Sequence, residues 1–178
     1  MRVETARLVL RLPRPSDAEA FAAINADPEV ARFVSASGPL TRAESDLLLR
    51  SMRDQWDREP FGLWMAELRE SGELAGFVGL SHPSLPALTG EVEVGWRLGR
   101  AHWGRGLATE GGAAAVRHAF DQCGLDRLVC IVDRDNSASL GVARKLGFTH
   151  WRDMDHPRWP RGVEVHTLEV QDAAGAGE

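Results

Sequence analysis

The chain has no tyrosine, and only one of its 21 basic residues, Lys145, is a lysine. Without a phenol, proton transfer must fall to carboxylates, histidines, hydroxyls or water. Cysteine is scarce too: Cys123 and Cys130 read as reduced thiols of a cytoplasmic protein. No apolar run approaches the roughly 20 residues that span a bilayer, so no membrane association is expected. The N-terminus, M-R-V-E-T-A-R-L-V-L-R-L, breaks its apolar residues with charge and reads as a strand, not a signal peptide. A net charge of −5 argues against nucleic acid as a partner, which wants a basic face. His150, His156, Asp153 and Asp155 form the densest cluster of possible metal ligands. They lack a second pair at established spacing, so no metal is expected.

What is present suits a compact fold. With 178 residues, 43% hydrophobic and 26% charged, the chain reads as a single domain over residues 1–170. The tail 171–178, rich in Ala and Gly, is expected to be disordered. Arg7 to Leu12 alternates as a first strand, and Ser16-Asp17 caps a helix through Ile24 that Asp27-Pro28 breaks. Val30 to Pro39 reads as a loop. Thr41-x-x-Glu44 is a capping box before a second helix. Phe61–Leu68 and Leu74–Leu80 form a hairpin. After the central segment come a buried strand Arg127–Val132, a short helix from Asn136 ended by Gly147, and a final strand pair, Phe148–Met154 and Val163–Val170, joined by the loop His156–Gly162. The order β-α-α-β-β-β-α-β-α-β-β is α+β, with one right-handed β-α-β crossover.

The segment Glu91 to Phe120 organises the rest. Val92, Val94, Trp96 and Leu98 alternate against Glu91, Glu93 and Arg97 as a strand. A basic turn with Gly104 and Gly106 follows, and a helix opens at about Leu107 with Ala108, Gly112, Ala115, Val116 and Ala119 on one small apolar face. The first amides of that helix have no intrahelical partner, and its dipole adds positive potential there, so the turn is an anion site suited to phosphate. Gly106 is followed by Leu-Ala-Thr, which excludes a P-loop. A dinucleotide turn would follow its strand directly, whereas here Gly99 to Trp103 intervene. Too little chain follows for a doubly wound sheet, which disfavours an NAD(P)-binding oxidoreductase.

V-G-W-R-L, then W-G-R-G-L-A-T-E, then N-S-A-S and R-K-L-G-F closely resemble the GNAT superfamily of acyl-CoA-dependent N-acyltransferases, nearest the branch of ribosomal-protein N-terminal acetyltransferases. The resemblance covers residues 5 to 170. It implies a GNAT fold: a mixed, mostly antiparallel sheet of six to seven strands with splayed central strands and helices on both faces. It also implies that acetyl-CoA is the co-substrate, and that Gly104, Arg105, Gly106, Leu107, Ala108 and Thr109 hold its pyrophosphate through backbone amides. Trp103 departs from the superfamily's usual Gln or Arg. By the same resemblance, backbone groups of Trp96, Arg97 and Leu98 pair with the pantetheine amides, as an added strand does. That pairing requires the central strand to part from Leu128–Val132, and mid-strand Gly95 is consistent with a bulge that starts the separation. Asn136 and Ser139 match the Asn-x-x-Ser that faces the pantetheine and thioester, and Lys145, with Arg144, is placed to reach the adenosine phosphate. A homodimer is the superfamily's common habit.

Transfer to an amine needs an unprotonated nucleophile, and an α-amine (pKa ~7.7–8.0) needs less help than a lysine (~10.4). A glutamate serves as base when burial raises its pKa. Glu93 is the first candidate and Glu91 the second. Many superfamily members use a tyrosine seven residues after the Asn to protonate the leaving thiolate. Ala143 stands there, so Ser139 or a water takes the acid role. The expected function is acetyl transfer to a primary amine, either a protein or peptide α-amine or a small-molecule amine, with a non-catalytic CoA-binding protein as the alternative.

Overall fold

A computed structural model describes residues 1–33, 37–156 and 159–170 of the chain. The elements are β1 (Arg2–Glu4), β2 (Leu8–Arg11), α1 (Ala18–Asn25), α2 (Pro28–Ala31), α3 (Arg42–Arg58), β3 (Leu63–Leu68), β4 (Leu74–Ser81) and β5 (Glu93–Leu98), followed by α4 (Leu107–Arg117), β6 (Arg127–Asp133), α5 (Ser137–Lys145), β7 (Thr149–His156) and β8 (Trp159–Glu169). The strands form one sheet in the order β1-β2-β3-β4-β5-β6-β8-β7. Every neighbouring pair is antiparallel except β5–β6, whose two strands are linked through α4 and run parallel. That arrangement is the α+β fold expected from the sequence, and it excludes the doubly wound sheet of a dinucleotide enzyme.

Sequence patterns explain the two faces. In α4, Leu107, Ala114, Ala115 and Val116 are buried, and with Ala119 they lie on Leu8, Val78, Val94 and Leu98 of the sheet. Small residues let this helix sit low over β4 and β5. β6 is apolar on both sides because both are covered: Leu128, Cys130 and Val132 face the α4 layer, while Val129 meets Leu85 and Leu88 on the other. α1 and α3 cover β3 and β4 on that second side, where Phe21, Leu49, Met52, Met65 and Phe77 cluster. Thr41 and Glu44 form the expected capping box of α3.

The fold differs from the sequence reading in several places, among them the start of α1, where no side chain caps the helix. The sheet has eight strands, because the three residues of β1 pair with β2 at the sheet edge; so short a strand, with largely exposed side chains, has little alternation to read. Pro28 does not only end α1. It opens the short helix α2, capped by the Asp27 carboxylate, so Val30 and Ala31 are helical and buried; residues 34–36 of the expected loop lie outside the described residues. β8 begins at Trp159, so most of the expected His156–Gly162 loop is strand; residues 157–158, like the tail 171–178, lie outside the described residues. Finally, the β4–β5 register runs unbroken from Gly76↔Leu98 to Ser81↔Glu93, so Gly95 makes no bulge. Register shifts fall elsewhere, on β3 at Ala66/Glu67 and on β7 at His150/Arg152 and Met154/His156.

The strand β4 tolerates no side chain at Gly76. Its φ of +144° is one that L-residues rarely adopt, and a Cβ there would collide with the Arg97 carbonyl. Gly76→Ala is expected to lower the unfolding free energy by about 2–4 kcal/mol, read as a lower urea midpoint; an unchanged midpoint would contradict the register described here.

Candidate acyl-transfer cleft

The defining feature is a pairing that stops. β5 and β6 share a single bridge, Glu93↔Val129, with the Val129 amide donating to the Val92 carbonyl at 2.9 Å. Beyond it the strands part. On its other edge β5 remains bonded to β4, and the Gly99 amide donates to the Ala75 carbonyl at 2.8 Å. Alternation from these two fixed points turns the N–H and C=O groups of Val94, Trp96 and Leu98 toward β6 and those of Gly95 and Arg97 toward β4. Trp96 and Leu98 therefore meet the expectation of backbone groups facing the gap. Arg97 does not: its backbone is committed to Phe77 across the ladder. The Leu98 carbonyl is itself capped, accepting the Trp103 indole N–H at 2.8 Å.

The gap opens into a cleft of about 400 Å³. Trp96, Arg97 and Leu98 line one wall, and Gly104, Gly106, Leu107, Ala108 and Thr109 line the end where α4 begins. Gly106 is the N-cap of α4 in the left-handed conformation (φ 76°, ψ 6°), and no side chain caps the helix. The first amides of α4 are thus left for a ligand, with the positive end of the helix dipole behind them. The opposite wall is α5: Asn136 and Ser139 at its start and Lys145 at its end all line the cleft. Asn136 is the N-cap of α5, its side-chain oxygen accepting the Ser139 amide at 3.0 Å. The Ser139 hydroxyl accepts the Trp96 indole N–H at 3.2 Å, a bond that spans the two walls. Val30 and Phe33 close the remaining side.

Arg105 is the exception in the glycine turn. It is not a lining residue: its guanidinium lies 3.4 Å from His102 Nδ1, and its carbonyl accepts from Arg7 Nη1 at 2.6 Å. Arg7 leads to residues the sequence reading missed. Its Nε donates to Glu110 Oε2 at 2.7 Å, its amide donates to Glu110 Oε1 at 2.6 Å, and Thr5 Oγ1 donates to the same Oε1 at 2.6 Å. Glu110 sits in the first turn of α4, beside the uncapped amides. Left alone, its charge would repel an anion bound there. Partial burial would raise its pKa, but hydrogen bonds from Thr5 and Arg7 hold the carboxyl below the ordinary range, so it stays ionised and the Arg7 charge offsets it. No local pattern signals this clasp, because its partners are 103 residues apart. His102 is also buried in the lining and was not foreseen.

Glu93 stands at the apex, on the last paired position of β5, and does not line the cleft. Its carboxyl has no hydrogen bond or ion pair among the described residues, and burial pushes its pKa up to about 7. Glu91 precedes β5 and lies 3.3 Å from the Arg127 guanidinium, an ion pair that removes it from consideration as a base. Ala143 is fully buried in the core, so a tyrosine would not fit there unaltered. Among the described residues no three His, Cys, Asp or Glu side chains are grouped to hold a metal ion, and no helix is long and apolar enough to cross a membrane.

The sequence profile of the acetyltransferase (GNAT) domain matches residues 7–149. The chain belongs to the GNAT acetyltransferase family. Its relatives include the uncharacterized N-acetyltransferase YoaA of Bacillus subtilis, 29% identical over 82% of this chain and 81% of that protein. An acetyltransferase structure from Agrobacterium tumefaciens superposes with a TM-score of 0.81 at 29% identity, covering 95% of this chain and 94% of that one. The structure of RimL, a ribosomal L7/L12 α-N-protein acetyltransferase, shares the fold with a TM-score of 0.78 at 18% identity, covering 96% and 94%. The protein is thus a GNAT-type N-acetyltransferase, from a family that generally uses acetyl-CoA.

If the Arg7 clasp shapes the diphosphate end of the cleft, Arg7→Ala, which removes two charge-assisted side-chain hydrogen bonds, is expected to raise the KM for acetyl-CoA about tenfold, with kcat changed far less. Arg7→Lys keeps the charge without the fork and should recover only part. Steady-state kinetics with acetyl-CoA varied would check this.

Proposed function

We propose that the protein transfers an acetyl group from acetyl-CoA to a primary amine by direct attack within a ternary complex. One observation carries the reading: the uncapped mouth of α4 and the unpaired edge of β5 are contiguous in one cleft. Amides of Gly104 through Thr109 would take the pyrophosphate, and the Trp96 backbone with the Leu98 amide would take the pantetheine as an added strand. Lys145, exposed at the last turn of α5, would meet the adenosine phosphate. The acetyl group then lies toward the apex, near Glu93. The acceptor is a protein or peptide α-amine or a small-molecule amine.

In this scheme the amine nitrogen attacks the thioester carbonyl while its proton passes to the Glu93 carboxylate, directly or through one water. A pKa of about 7 suits that task, because the group is substantially ionised at neutral pH yet basic enough to accept a proton. Collapse of the tetrahedral adduct breaks the C–S bond. The departing sulfur takes a proton from the Ser139 hydroxyl, and the proton that Glu93 took from the amine returns through water to the Ser139 oxygen, which restores both groups. Ser139 suits the role because it accepts a hydrogen bond from the Trp96 indole, leaving its own proton free to donate.

A thiol-release assay over peptide N-termini, polyamines and small amines tests the reading, and no acetylation with any of them would refute it. Because the base must be ionised, kcat should fall about tenfold per pH unit below 7, and Glu93→Gln should remove that limb and slow turnover while leaving acetyl-CoA affinity unchanged. The same group makes a stability prediction. A carboxyl whose folded pKa of about 7 exceeds its ordinary 4.5 favours the folded state while protonated. Wild-type stability should therefore fall as pH rises from about 4.5 to 7, and Glu93→Gln should be the more stable protein at pH 8, by at most about 3 kcal/mol. Thermal melts at pH 5 and pH 8 read the difference.

A further inference from the structure

We propose that the cleft contains an anion subsite built on the Arg97 guanidinium, and that it selects amine acceptors carrying a carboxylate. The inference rests on the acyl-transfer reading and concerns which acceptors that site takes.

Glu93, Gly95 and Arg97 alternate onto one face of β5, away from Trp96 and Leu98. Gly95 presents no side chain, and a Cβ built there would meet nothing within 4 Å, so the floor between Glu93 and Arg97 is open. Arg97 lines the cleft together with Val30 and Phe33. Its charge is poorly compensated. Nη1 donates to the neutral Asn25 Oδ1 at 2.7 Å, the guanidinium lies 5.2 Å from the Phe77 ring centroid, and Nε is buried with no partner. Among the described residues no carboxylate pairs with it. Burial lowers its pKa to about 10, a measure of how poorly the cation is solvated.

Two other arginines withdrawn from solvent are matched by carboxylates, whereas half-buried Arg152 rests on the Ala87 carbonyl and the Trp151 ring. Arg11 is held by Asp17 and Glu67, and Arg127 by Glu91 and Glu169. A guanidinium has five donors in a fork that fits a carboxylate, and a buried one left without an anion is costly. Asn25 keeps the fork in place: its Nδ2 donates to Ser45 Oγ at 2.8 Å, tying the end of α1 to α3. A ligand carboxylate would supply the missing charge, with its amine directed along the open floor toward Glu93. Along a strand, residues 93 and 97 lie about 13 Å apart, and the two side chains reach into that interval. A polyamine, by contrast, would bring further positive charge against Arg97.

The test uses the full chain saturated with coenzyme A, into which matched probes are titrated by calorimetry: glycylglycine, glycylglycinamide and spermidine. The dipeptide is expected to bind at least tenfold more tightly than its amide, and spermidine more weakly than either. Arg97→Met should abolish the difference between the first two while leaving coenzyme A affinity unchanged, and Arg97→Lys should retain part of it. Equal affinity of dipeptide and amide for the wild type would overturn the proposal, as would failure of both to bind. So would an Arg97→Met protein that weakens every ligand alike, the mark of a purely structural arginine. Should that variant not fold, full retention of the discrimination by Arg97→Lys overturns it, and partial loss upholds it. Turnover of the same probes is read separately. Acetylation of dipeptide and amide at equal efficiency sinks the subsite alone, and discriminating binding without turnover of any amine sinks the transferase reading alone.

Discussion

The structure depends on a hydrogen-bond ladder left unfinished. Two parallel strands at the centre of the sheet make one bridge and then diverge, so Trp96 and the Leu98 amide keep backbone groups turned toward a gap. Strand edges with unpaired groups are normally covered or blunted. Here the opening is kept because each wall has its own support. β5 is fully paired to β4, and β6 is fully paired to β8. The helix between them packs on β5 and leaves its first amides uncapped at the same place. A linear ligand with a diphosphate at one end would answer both sets of unpaired groups at once.

Charge around this opening is arranged for an anion with little help from net charge, which is negative over the chain. The positive ends of two helices, α4 and α5, meet at the cleft, and the charge of Glu110, the one acidic group in α4's first turn, is offset by Arg7. The superfamily's usual Gln or Arg at the Trp103 position is absent, and Trp103 instead ties the turn back to β5 through Leu98. In the proposed binding mode, main-chain amides at the mouth of α4 would do the work that a side chain at this position does elsewhere in the superfamily. Deeper in, the polarity reverses: Glu93 sits alone in a poorly solvated apex, where burial and not a neighbouring charge sets its proton affinity.

Much of this was legible in the sequence because it is written locally. The capping box at Thr41 and Glu44, the glycine turn at Gly104 and Gly106, and the helix start at Asn136 each depend on residues within a few positions of one another. The parted strand was implied by family resemblance and is present, though the bulge invoked at Gly95 is not. Two kinds of feature escaped. Backbone orientation depends on register: a one-residue step decides whether Arg97 or Trp96 faces the gap, and alternation of side chains does not fix which edge the amides take. Long-range contacts escaped as well, since nothing near Arg7 announces Glu110, and nothing near Arg97 announces Asn25 and Ser45.

The clasp between Thr5, Arg7 and Glu110 has a consequence for how the protein comes into being. During synthesis the amino-terminal hairpin emerges long before α4, yet the turn at Gly106 is braced only when the two meet. Contacts so distant along the chain form late, after the loop-closure cost between them has been met. The bracing of the α4 mouth therefore arrives with completion of the fold, and a nascent chain lacks it until its amino-terminal hairpin has docked.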